Sequence, residues 1–165
     1  MKNENGVALH TLLLIIVVII IIATIIVKYG MKMIEQSKIQ DLRTNMLLIQ
    51  ADAKKDLEEV CFQTVNLNEN KEEDLTKINQ IKEENLKGTI VQQSDIQKYI
   101  PEEVEINENC YYLDENILNQ IGVKDSNPEK YGYFIVKYDF KNIGVEVINK
   151  HGYEGKYTLT ELLDE

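Results

Sequence analysis

The sequence predicts an α+β chain: a long N-terminal helix, apolar in its first half and amphipathic in its second, packed against a small antiparallel sheet. Three observations lead there. A charge-free apolar run ends at Val27, and a seven-position apolar stripe at helical spacing comes after it. The last fifty or so residues then alternate polar and apolar positions between glycine turns.

The apolar run fixes the first element. From Leu12 to Val27 only Thr24 is not hydrophobic, and no charge falls between Glu4 and Lys28. Val7 to Val27 would span about 31 Å as a helix, enough to cross a bilayer core. A cleaved secretory signal would have a shorter apolar region and a small-residue cut site. Here Ala23 has bulky neighbours, so a transmembrane helix is expected instead. Lys28, Lys32, Lys38 and Arg43 come after the run while only Lys2 precedes it. By the positive-inside rule that pattern favours a cytoplasmic C-terminal part.

The helix is expected to continue to about residue 61. Ile39, Leu42, Met46, Ile49, Ala53, Leu57 and Val60 step by three and four residues, one face of a helix, with charges largely between them. No proline occurs from Met1 to Tyr99, and Gly30 is the single weak point, costing about 1 kcal/mol relative to alanine.

Beyond it, Asn66 to Asn70 reads as a loop and Glu72 to Leu86 as a short helix stopped by Gly88. Ser94 and Gln97 form a capping-box pattern for a helix ending before Pro101. Asp114 can cap a helix running through Ile121 to Gly122. In YGYFIVKYD, Tyr133 and Ile135 should face one side and Phe134, Val136 and Tyr138 the other. DFKN, residues 139–142, reads as a hairpin connection to a strand bearing Val145 and Val147. Gly152 and Gly155 mark the next turn, and Thr158 with Glu161 caps a last short helix. Seven of the nine tyrosines lie from residue 111 onward and are expected to pack the sheet, since tyrosine suits a half-buried strand.

Charge and cysteine usage narrow the function classes. The net charge is −10, and Lys2 and Glu4 cancel, so all of it falls after the apolar run. An acidic surface repels phosphate backbones, which argues against nucleic acid as a partner. Cys61 and Cys110 lack metal-site spacing. Either they are free thiols or they form a disulfide closing a loop of roughly 50 residues, which would stabilise the domain by about 4 kcal/mol. No metal or cofactor is expected. No phosphate-binding glycine loop is present, His151 sits in a loop, and no nucleophile has an identifiable base. The chain is not expected to be an enzyme.

The leader MKNENG is short and polar and ends in glycine. Joined to an apolar helix and its amphipathic continuation, it resembles the type IV pilin and type II secretion pseudopilin superfamily. Membership would imply cutting by a prepilin peptidase between Gly6 and Val7, methylation of Val7, and extraction from the membrane by a platform protein and an ATPase. Assembly with other pilin-like subunits through the apolar helix would come next. A helix apolar all round can exchange lipid for neighbouring helices at little cost, since both surroundings are apolar. The family's usual glutamate, five residues after the glycine, is replaced by Thr11, with His10 beside it. Threonine cannot make the ion pair that the glutamate makes with a neighbouring subunit's amine, and this points to a minor subunit. The stretches YYLDENILNQIGV, YGYFIVKYDFKNIGVEVI and HGYEGKYTLTEL also look like the C-terminal part of pilin-like proteins from anaerobic Gram-positive bacteria.

The resemblance implies a leader over 1–6, a transmembrane and assembly helix over 7–27, and its amphipathic continuation over 28–61. An acidic, pilin-like α+β head would occupy 62–165. The mature chain would be single-pass in the cell membrane with an extracellular head, then part of a surface filament. The alternative is a permanently anchored single-pass protein whose acidic domain binds a partner, favoured by the lysines after Val27 and by Thr11.

Overall fold

The computed structural model describes residues 4–104, 109–124 and 126–164, with side chains from residue 15 onward. The chain is α+β, with a long N-terminal helix and a five-stranded antiparallel sheet. It divides into two compact units, Met1–Asp41 and Leu42–Glu165, the second of which we call the head.

Helix α1 runs Glu4–Thr64. Within the head its stripe is covered: Met46, Ile49, Leu57 and Val60 are fully buried and Ala53 nearly so. Intervening Lys54, Lys55, Glu58 and Glu59 stay exposed, as the helical period requires. After a loop comes α2 (Glu72–Asn85), with Glu72, Glu73 and Asp74 in its first turn, where carboxylates complement the helix dipole. It stops at Leu86, which turns to extended backbone two residues before Gly88. Gly88 has another job. Its φ is +98°, and a Cβ there would sit 2.6 Å from the carbonyl oxygen of Tyr112, so it lets the chain pass closely along the sheet edge.

The sheet is a meander in chain order: β1 (Thr89–Ile90), β2 (Cys110–Leu113), β3 (Phe134–Asp139), β4 (Gly144–Tyr153) and β5 (Lys156–Thr158). Every neighbouring pair is antiparallel. Register fixes the two faces. Tyr111 lies opposite Val136 and Leu113 opposite Phe134, while Val147 lies opposite Val136 and Val145 opposite Tyr138, so these share one face. That face meets α1: Gln50 Nε2 donates to the carbonyl of Val145 at 3.0 Å. The other face carries Cys110, Ile135 and Ile148, clustered with Ile100. The alternation expected in 133–138 is what the strand shows.

The second face has its own cover. A single 3-10 turn (Gln93–Asp95) leads into α3 (Ile96–Tyr99), and Tyr99 stacks on Tyr112 at 4.8 Å and meets Tyr133 edge-on at 5.1 Å. Lys150 Nζ, from β4, donates to the carbonyls of Gln97 (2.6 Å) and Lys98 and so caps the exit of α3. The capping box expected at Ser94 and Gln97 is absent. The chain enters α3 through the 3-10 turn, so Ser94 lies inside that turn and the N-cap position falls to Asp95, whose side chain makes no cap.

Two helices bridge β2 and β3. In α4 (Glu115–Ile121) Asp114 accepts from the backbone N–H of Ile117, and Gly122 closes the helix at φ +95°, both as the sequence indicates. Then α5 (Pro128–Tyr131) is capped by Asn127. The β3–β4 connection occupies 140–143, with Asp139 accepting from the N–H groups of Lys141 and Asn142. Glu154 and Gly155 both have positive φ, which makes the β4–β5 connection a two-residue hairpin turn of the kind that matches strand twist. Finally α6 (Leu159–Leu163) begins with the full Thr158–Glu161 capping box and buries Leu159 and Leu162.

Candidate functional site: an uncovered apolar helix and its head

Ile15 to Val27 sets the chemistry of the first unit. Each large aliphatic residue in this stretch is exposed, from Val18 at 45% to Ile26 at 64%. Ile19, Ile20, Ile21 and Ile22 are consecutive and so face all sides of the helix. Single exposed leucines are ordinary on protein surfaces, but a continuous apolar cylinder marks a contact with lipid or protein. This is the one described helix long and apolar enough to cross a membrane by length and composition. The single hydroxyl in the run is internally satisfied: Thr24 Oγ1 donates to the carbonyl of Ile20 at 2.6 Å. In hydrocarbon an unpartnered hydroxyl would be costly, so the i−4 bond makes Thr24 compatible with lipid.

Gly6, Val7, His10 and Thr11 all lie on α1, and their side chains fall outside the described residues. The leader residues Met1 to Asn3 are likewise outside them.

Cys61 and Cys110 are both unbridged thiols, so the structure has no disulfide between them. Cys110 points into the apolar cluster of Ile100, Ile135 and Ile148, whereas Cys61 lies near the end of α1, half-buried. Burial pushes both thiols above their ordinary pKa, only partly offset by Lys82 near Cys61 and Lys137 near Cys110. Thiols held protonated are poor nucleophiles and poor metal ligands. Among the described residues no group of three or more His, Cys, Asp or Glu is gathered to hold a metal ion. His151 is exposed on β4.

The polar groups that hold the head together are invisible to spacing. Lys87 reaches α1, with Nζ 2.6 Å from Asp52 Oδ2 and 3.2 Å from Asp56 Oδ2. The two carboxylates are unequal partners. Burial raises the Asp56 pKa in spite of Lys87, while Asp52 takes the shorter contact. Burial alone would lower Lys87, but its bonds to Asp52 and Asp56 carry it above its ordinary value. Tyr138, buried beneath this cluster on the sheet, is also pushed up, first by burial and then by Asp56. Asn149 does a different task. Fully buried, it donates to the carbonyl of Tyr131 at 3.0 Å and accepts from the N–H groups of His151 (3.1 Å) and Gly152 (2.9 Å). These bonds serve the irregular register of β4 between Ile148 and Tyr153. Partners as far apart in the chain as Lys87 and Asp52, or Asn149 and Tyr131, leave no periodic trace in a sequence.

No family model, no curated protein and no solved structure matches the chain.

Proposed function

We propose that the chain is a subunit, and a minor one, of a type IV pilus or pseudopilus, cut after Gly6 and assembled through its N-terminal helix. The observation that carries this reading is the division of α1: an apolar cylinder from Ile15 to Val27, then a stripe from Met46 to Val60 that seats a small sheet. A cylinder of that kind can leave lipid for a bundle of like helices, because neither environment requires a polar partner. The sheet and short helices would be the part displayed outside the cell. Thr11, in place of the family's glutamate, suits a subunit present in few copies. Its partners would be other pilin-like subunits, the prepilin peptidase and the assembly platform. Its role would be structural.

The test is the mass of the N-terminus of membrane-extracted protein from cells that contain a prepilin peptidase. A chain beginning at Val7, heavier by one methyl group, is the expected result. A chain retaining MKNENG overturns the reading. It would then leave a permanently anchored single-pass protein with an acidic partner-binding head, which Lys28, Lys32 and Lys38 favour through the positive-inside rule.

A further inference from the structure

The unbroken apolar run of α1 ends at Val27, and beyond it lysines come in among exposed Tyr29, Met31, Met33 and Ile34 to make a collar of cations. Lys28 and Lys32 are exposed and lie one helical turn apart, on the same side of the helix. Lys38 is exposed further along, so the three ammonium groups are spread over about 15 Å of helix axis. Tyr29, between the first two, is 69% exposed. Glu35 is the single acidic residue from 28 to 38, in a chain whose overall charge is −10. Among the described residues no ion pair engages Lys28, Lys32 or Lys38, in contrast to Lys87, which is held between two carboxylates.

We propose that this collar binds the headgroups of anionic phospholipids at the surface where the apolar segment leaves the bilayer. The placement fits the chemistry. Tyrosine settles at the boundary between hydrocarbon and water, with its ring among the glycerol groups and its hydroxyl outward. Lys28 and Lys32 flank Tyr29, and their long stems let the ammonium groups reach the phosphate layer, with Lys38 further out. Anionic lipids attract such cations within a Debye length, so the pairing weakens as salt rises. The excess of carboxylates elsewhere in the chain would be repelled by the same surface, which confines the attraction to the collar. The proposal rests on the anchoring part of the proposed function and is independent of cutting after Gly6.

The experiment uses the full chain reconstituted into vesicles of equal parts phosphatidylcholine and phosphatidylglycerol. Flotation comes first, then detergent extraction and native mass spectrometry of the lipids that stay bound. The expected result is flotation, with phosphatidylglycerol retained several-fold over phosphatidylcholine. Each of Lys28→Gln, Lys32→Gln and Lys38→Gln should lower the preference by a factor of roughly two to five. The double substitution Lys54→Gln with Lys55→Gln removes two exposed charges further along the same helix and should leave the preference unchanged. Equal retention of the two lipids by the unaltered chain overturns the proposal, as does an equal loss in the Lys54/Lys55 control. Zero-length cross-linking of the collar to carboxylates of a second copy, with no lipid preference, would assign the collar to self-association instead. Failure to float overturns anchoring and the collar together, whereas flotation without preference overturns the collar alone.

Discussion

Helix α1 contains two stretches of the same secondary structure and opposite fate. Residues 15–27 are aliphatic on every side and uncovered, while residues 46–60 carry one aliphatic stripe that is buried, with Leu47 and Leu48 exposed beside it. The isoleucine- and valine-rich first stretch is the poorer helix former by intrinsic propensity, because branching at Cβ restricts the side chain against the preceding turn. It is helical all the same. What distinguishes the two is therefore the distribution of apolar surface around the axis. One distribution suits lipid or a bundle of apolar partners on all sides, and the other suits a single sheet.

Each stretch can be disrupted on its own. Ile20→Arg places a charge in the middle of the uncovered stretch and should cost insertion about 3 to 4 kcal/mol. Alkaline extraction should then release the variant from membranes that retain the parent, while the thermal unfolding of the head stays unchanged. Leu57→Ala does the converse. It opens a cavity at a fully buried stripe position and should lower head stability by about 3 kcal/mol, read by denaturant unfolding, with membrane retention unaltered. If Leu57→Ala released the protein from membranes, or Ile20→Arg unfolded the head, the two stretches would not be separate devices.

Smaller perturbations sharpen the picture inside the head. Thr158→Ala removes the cap of α6 and should cost about 1 kcal/mol, since Glu161 loses the reciprocal half of its box. The pH dependence tests the Lys87 cluster. Because burial raises the folded-state pKa of Asp56 above its usual value of 3.8, the native state holds that proton more tightly than the unfolded chain. Its contribution to stability is fully present below pH 3.8 and is lost as pH rises through the raised folded value. Asp56→Asn should flatten that part of the stability–pH curve while Lys87 keeps Asp52. An unchanged slope between the two proteins would show that Asp56 titrates normally.

Much of this architecture can be read from the sequence where a period or a local motif carries it. The stripe from Met46 to Val60, the faces of β3, the caps at Asp114 and Thr158 and the turn at Gly155 are each set by residues within a few positions of one another. Sequence patterns fail where the decisive partner is distant. Strand β2 is four residues long, CYYL, and has no alternation to betray it; it is a strand because β3 pairs with it. Strand β1 has only two residues, paired to Tyr111 and Tyr112. Gly88 reads as a helix stop, yet its positive φ serves the close approach to Tyr112. Of the candidate site, the apolar stretch is plain from composition alone, whereas Lys87 and Asn149 emerge only from the fold.

The short helix α3 has a consequence for how the head opens. Four residues cannot sustain a helix in water, so this one persists through Lys150 and through Tyr99 resting on its two neighbours. Native-state hydrogen exchange should find the amide of Ile100, which donates to the carbonyl of Ile96, exchanging through a local opening rather than through global unfolding. The strand amides of Val136 and Val147, at the centre of the sheet, should exchange only when the whole head unfolds. The face of the sheet away from α1 would then be the first part of the core to meet water, ahead of the face the long helix covers.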